Sequence, residues 1–149
     1  MDHGGVDLAQ RMSTDEYYGF LRDRARTAVL CTIRADGRPH AAPVWFDLDG
    51  DAFVITTGED TVKGRNMRRD PRVSLCIDEE EPPFHFVLIQ GTSELTAGDP
   101  DLLYWATRIG GRYMGVDRAG EYGRRNAVEG ELLARVTPQK IVAYKNISD

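Results

Sequence analysis

The sequence predicts a mainly β protein with peripheral helices (α+β), its strands antiparallel and closed into a small barrel. Short apolar runs rich in β-branched residues recur along it, notably Ala28–Ile33, Ala52–Thr57 and Val73–Ile77. The dipeptides Asp36-Gly37 and Asp49-Gly50 separate successive runs, and glycine there accepts the positive φ of a tight hairpin turn. Few segments carry a helical period, and five or more strands with helices at their margins point to a barrel.

The chain of 149 residues, 41% hydrophobic and 29% charged, fits one domain with its own core. A formal net charge of -5 argues against nucleic-acid or anionic-membrane partners. No apolar run approaches the roughly 20 residues that span a bilayer. Met1-Asp2-His3-Gly4-Gly5 lacks the basic and apolar regions of a signal peptide. Cys31 and Cys76 lie inside strand-like runs and read as reduced, buried thiols, so a cytoplasmic location is expected.

Residues 1–12 are polar and aperiodic, a flexible tail ahead of a single domain at 13–149. Ser13-Thr14-Asp15-Glu16 has the form of a capping box and opens a helix to about Arg26, with Tyr17, Phe20 and Leu21 on one face. Ala28–Ile33, Pro39–Leu48 and Ala52–Thr57 follow as an antiparallel meander. Residues 61–69 form a short basic helix that Asp70-Pro71 terminates. Strands resume at Val73–Ile77 and Phe84–Leu95, flanking an acidic loop, and Gly91 marks a bulge or corner. Asp99-Pro100 supplies an N-cap and first helical residue, Gly110-Gly111 loosens that helix and Gly115 closes it. A polar helix from Asp117 to about Asn126 precedes two last strands, Leu132–Val136 and Lys140–Tyr144, separated by Pro138.

The basic segment carries most of the chemistry. Lys63, Arg65, Arg68, Arg69 and Arg72 are concentrated in an otherwise acidic protein, where a strand gives way to a helix whose free N–H groups favour phosphate. Lys63 and Asn66 stand about one turn apart, and Thr56, Thr57 and Thr61 offer hydroxyls just before them. The alternative is a solvated helix whose arginines pair with Glu59, Asp60 and Glu79–Glu81. Lys63 with its threonines favours phosphate; the single arginines favour ion pairing. Pro43 removes a ladder donor, so Pro43-Val44-Trp45-Phe46 is an edge, a bulge or backbone turned towards a ligand. Trp45 either flanks a planar ring or simply covers the barrel. His3, His40 and His85 have no partners at metal-ligand spacing. No nucleophile or acid–base pair stands out, which suits both a cofactor enzyme and a binding protein.

Taken together, Val29–Pro39, Pro43-Val44-Trp45-Phe46, Lys63–Arg72 and Arg112-Tyr113-Met114-Gly115 resemble the split β-barrel family of pyridoxine 5′-phosphate oxidase-like proteins. The likeness runs from residue 14 to 147 and is nearest to the branch using the deazaflavin coenzyme F420. It implies a homodimer with cofactor sites at the subunit interface. Lys63, Thr56, Thr57, Thr61 and Asn66 would meet the cofactor phosphate, and the Pro43–Trp45 backbone would lie along its ring. Trp45 and His40 would border the substrate pocket. The arginine-rich FMN and substrate fingerprint of the true oxidases is missing around residues 39–46, which implies F420 ahead of FMN. The resemblance thus implies an oxidoreductase passing a hydride from reduced F420 to a small electron-poor acceptor. An FMN oxidase or reductase, and a carrier of F420, FMN or haem, are the alternatives.

Overall fold

The computed structural model describes residues 9–148. In chain order its elements are β1 (Gln10–Arg11), α1 (Thr14–Asp23), β2 (Ala28–Ile33), β3 (Pro39–Val44), β4 (Asp47–Asp49) and β5 (Ala52–Gly58). There follow α2 (Val62–Arg69), β6 (Arg72–Asp78), β7 (Phe86–Ala97), α3 (Leu102–Met114), a 3₁₀ turn (Val116–Arg118), α4 (Ala119–Asn126) and β8 (Glu131–Lys145).

The strands form one eight-stranded antiparallel sheet in the order β3-β2-β6-β7-β8-β5-β4, with β1 added on β8. The two ends of this path, β3 and β4, are consecutive in the chain and joined through Trp45 and Phe46. A sheet whose first and last strands are so joined must curl, and side chains from nearly every strand meet in one core. Leu30, Phe46, Phe53, Ile55, Leu75, Ile77, Val87, Ile89 and Val136 are its almost fully buried members. Phe20 and Leu21 of α1 join them. A smaller cluster, Val54, Trp105 and Leu133, fastens α3 to the outer side of β5 and β8. This is the mainly β barrel with peripheral helices that the sequence predicts.

The capping box forms as expected: Glu16 N–H donates to Ser13 Oγ at 3.2 Å, and Ser13 N–H donates to Glu16 Oε1 at 3.0 Å. The helix stops at Asp23, short of Arg26, because Arg26 turns back and caps it, donating to the Phe20 carbonyl at 2.6 Å and to Asp23. Its buried face is Tyr18, Phe20 and Leu21, with Tyr17 only partly covered. Gln10–Arg11, expected in the tail, pair with Tyr144–Lys145, and Met12 is buried; residues 1–8, including His3, lie outside the described residues.

Three expectations about the sheet are corrected. The run Pro39–Leu48 is not one strand: it breaks at Trp45-Phe46, the two residues that cross the seam. The expected meander is therefore two separate hairpins, β2–β3 and β4–β5, at opposite ends of the sheet path. Pro138 does not divide the last strand either. β8 runs unbroken from Glu131 to Lys145, and a register shift between Gln90 and Gly91 lets Pro138 stand opposite Gly91. A Cβ on Gly91 would lie 2.4 Å from the Thr137 carbonyl oxygen, so the bulge read from sequence needs glycine because the backbones touch.

Two helix expectations shift as well. α3 begins at Leu102 after Asp101, while Asp99 accepts from Asp101 N–H at 2.8 Å and so turns the chain ahead of the helix. Gly110-Gly111 does not loosen α3, which continues to Met114; α4 packs against both glycines. Cys31 and Cys76 are free thiols, as expected, but half-buried on the outer side of the sheet instead of in the core.

Candidate functional site

The seam positions the site. Where β3 gives way to β4, a cleft of ≈ 370 Å³ opens, lined by Thr27, Pro43, Val44, Trp45, Thr56, Ile109, Asn126 and Glu131. That volume lies at the lower end of the range for small-molecule pockets, about 300–1,000 Å³. Among the described residues β3 pairs only with β2, so Pro43 sits on an edge strand, where proline is tolerated.

Tyr113, from the end of α3, fixes the seam. Its hydroxyl accepts from Phe46 N–H at 3.2 Å and donates to the Arg26 carbonyl at 2.6 Å. Its ring stacks on Trp45 with centroids 4.8 Å apart and planes within 5°. Burial pushes the Tyr113 phenol up, so it stays a neutral hydroxyl able to hold both partners. Arg112 braces the same turn by donating to the Leu21 carbonyl at 2.6 Å.

The basic helix stands beside the cleft. Thr61 is its N-cap, accepting from Gly64 N–H at 3.1 Å and lying 3.0 Å from Thr57 Oγ1. A Cβ on Gly64 would fall 2.4 Å from the Gly58 carbonyl oxygen, so glycine is what lets α2 press onto the end of β5. The partners of the basic side chains differ. Arg72 pairs with Asp70 at 2.8 Å, Arg65 donates to the Asp60 carbonyl, and Arg69 donates to Asn66 Oδ1 and the Ile33 carbonyl. Lys63 and Arg68 have no hydrogen-bond or ion-pair partner among the described residues. Glu79, which the alternative reading gives to this helix, pairs instead with Arg24 and Arg26.

Pro43, Val44, Trp45 and Thr56 are thus brought together in one cleft, and Lys63 adjoins it closely enough for its charge to act on Glu131. Thr57 and Thr61 are bonded to one another just behind. Asn66 is buried on the other side of α2, where Nδ2 donates to Thr32 Oγ1 at 3.0 Å. Its neighbouring hollow is lined by Arg34, Arg65 and Arg69, not by the seam. His40, opposite Thr32 on β3, does not line the cleft, and its Nδ1 is buried without a partner.

Sequence reading misses Glu131, Asn126, Ile109 and Thr27. Glu131 opens β8 across from Gly58, and its carboxyl occupies space that the glycine leaves free, Oε1 lying 3.8 Å from where a Gly58 Cβ would be. Burial pushes that carboxyl up, while the Thr56 hydroxyl and the Lys63 charge pull the other way. The only signal in the sequence is an acidic residue at the head of an apolar strand.

The residues present suit a phosphate-bearing ring cofactor. The cleft has an aromatic and an apolar wall, an unpaired ammonium sits at its margin, and Val62 and Lys63 present first-turn N–H groups with no acceptor among the described residues.

The family described as Pyridoxamine 5'-phosphate oxidase matches residues 13–143. A pyridoxine/pyridoxamine 5'-phosphate oxidase of Myxococcus xanthus is 32% identical over 109 residues, 72% of this chain and 52% of that protein. The chain spans only 39% to 52% of the length of the curated relatives it matches. Among solved structures, a conserved hypothetical protein of Mycobacterium tuberculosis superposes with a TM-score of 0.77 at 24% identity, covering 89% of this chain and 84% of that one. A protein named as an F420 reductase superposes with a TM-score of 0.65 at 23% identity, covering 83% and 94%.

Proposed function

The chain belongs to the pyridoxamine 5′-phosphate oxidase family, and from that premise we propose that it is an F420-dependent reductase. It passes a hydride from reduced F420 to a small electron-poor organic acceptor. The observation that carries this reading is Lys63, unpaired at the margin of the seam cleft beside the free N–H groups of α2. Lys63 and those N–H groups would hold the cofactor phosphate; the Pro43–Trp45 backbone and the Trp45–Tyr113 stack would orient the ring and exclude water from one face. The bound cofactor would supply the hydride. The same geometry suits FMN, and the curated oxidases among the relatives favour that second reading. Pro39–Phe46 holds no arginine for a substrate phosphate, which supports the deazaflavin.

Titration with F420 and with FMN, followed by fluorescence, tests this. F420 is expected to bind and, when reduced, to be reoxidised by conjugated acceptors. Binding of FMN alone would shift the assignment to a flavin enzyme, and F420 binding with no turnover would leave a carrier.

The partner in this reading is a second copy. On the outer side of the sheet, Pro43, Val29, Cys76, Leu88 and Val142 are cross-strand neighbours, an apolar row spanning β3, β2, β6, β7 and β8. Val29 and Leu88 are 39% and 42% exposed. Pro43 at one end of the row also lines the cleft, so a copy seated there would border the cofactor. The chain is expected to sediment as a dimer at micromolar concentration and Leu88→Glu as a monomer. A monomeric parent protein would remove this interface.

A further inference from the structure

Resting on the functional reading above, the structure assigns one more role: we propose that Glu131 is the acid of the seam cleft, taking up a proton when the anionic cofactor binds and delivering it to the reduced substrate.

The placement comes from the sheet. Glu131 is the first residue of β8 and stands opposite Gly58, the last of β5, so its paired position on β5 contributes no side chain and the Thr56 hydroxyl of the same strand reaches it. It lines the same cleft as Pro43, Val44, Trp45 and Thr56, the residues that would hold the ring. It is the only ionisable carboxyl on that lining, the rest being Thr27, Ile109, Asn126 and the residues just named.

The charges facing Glu131 decide its protonation. Burial opposes the carboxylate and is the largest effect; the Thr56 hydroxyl from β5 and then the Lys63 charge from α2 favour it. Glu59 lies against the adjoining Gly130 and not against this carboxyl. When a phosphate engages Lys63, the one cation favouring the Glu131 carboxylate is taken up and a new anion arrives. Both changes disfavour the charged carboxyl, so it binds a proton.

That proton is what hydride transfer lacks. A hydride adds to one carbon of a conjugated C=C bond, bringing both electrons from the reduced cofactor, which is left oxidised. The displaced π pair moves to the neighbouring atom. The Glu131 O–H bond breaks, its proton forms the new bond there, and the carboxylate regains a proton from solvent. The acceptor ends reduced by two electrons and two hydrogens.

The test measures binding before activity. Calorimetry of F420 and of FMN in buffers of different ionisation enthalpy, from about pH 5 up to 9, counts the protons taken up. The parent protein is expected to take up protons on binding. Its Kd is expected to rise, by up to tenfold per pH unit, as pH climbs from the carboxyl's pKa in the free protein to its higher pKa in the complex. Glu131→Gln should bind with no uptake and little pH dependence, whereas Glu59→Gln should behave as the parent. In single-turnover reduction of an acceptor, Glu131→Gln should be slowed on the order of a hundredfold or more at saturating cofactor. Unchanged proton uptake in Glu131→Gln, or an unchanged single-turnover rate, overturns the assignment while leaving the cofactor reading intact. Failure of both cofactors to bind at any pH overturns both.

Discussion

Lys63→Ala is expected to weaken F420 or FMN binding by roughly tenfold to a hundredfold, the loss of a charge-assisted hydrogen bond worth about 1.5–3 kcal/mol. The expectation follows from how the basic helix distributes its charge. Arg65, Arg69 and Arg72 are spent on Asp60, Asn66, Ile33 and Asp70. Lys63 keeps its ammonium free beside the cleft. Arg68 is also free but exposed, and so makes the sharper control. Arg68→Ala removes the same formal charge from the same helix and disturbs no bond in the fold. If affinity depends on contact with Lys63, Arg68→Ala should change Kd less than threefold or so at physiological salt, where a charge beyond a Debye length of about 8 Å is largely screened. Equal losses from the two variants, both fading as salt is raised, would mean a diffuse basic surface and no phosphate seat.

Tyr113→Phe is expected to cost about 2–6 kcal/mol of folding stability, from two part-buried polar groups left without partners at about 1–3 kcal/mol each. The Phe46 N–H and the Arg26 carbonyl both end on the one hydroxyl that this variant deletes. Urea unfolding should show a lowered midpoint with the slope unchanged. The ring survives in this variant, so the Trp45 stack and cofactor binding should largely persist. Tyr113→Ala removes the stack too, and should weaken both stability and binding. A Tyr113→Phe midpoint equal to the parent's would show that solvent can replace the hydroxyl and that the seam is wetter than its geometry suggests.

Much of the architecture is legible in the sequence because local physics sets it. The capping box at Ser13, the turns at Asp36-Gly37 and Asp49-Gly50, the Thr61–Arg69 helix and the bulge at Gly91 each follow from a few adjacent residues. What escapes is set by distant partners. Nothing near Trp45 says that the sheet's two ends meet there, so one long strand is the natural reading of Pro39–Leu48. Pro138 looks like a strand breaker until Gly91 is found opposite it. The site divides in the same way. Pro43, Val44, Trp45, Thr56 and Lys63 are readable as a motif, but Glu131 reaches the cleft only because β8 lies beside β5. Asn66, chosen for its spacing from Lys63, turns to Thr32 on the far side of its helix.

The placement of β8 between β5 and β7 also governs the order in which the barrel can be assembled. The hairpins β2–β3, β4–β5 and β6–β7 are each short in sequence and can form as soon as their residues are available. Closure cannot, because β8 is the latest strand in the chain and its first part, Glu131–Val136, must pair with Phe53–Gly58 of β5. Until then, a ribosome-bound chain carries open edges on β5 and β7, with unpaired backbone N–H and C=O groups ready to pair with any neighbour. Such long-range closure slows folding, so the exposure lasts through most of synthesis. Substitutions that weaken β8 would then appear first as aggregation during expression, before any loss of activity in the protein that does fold.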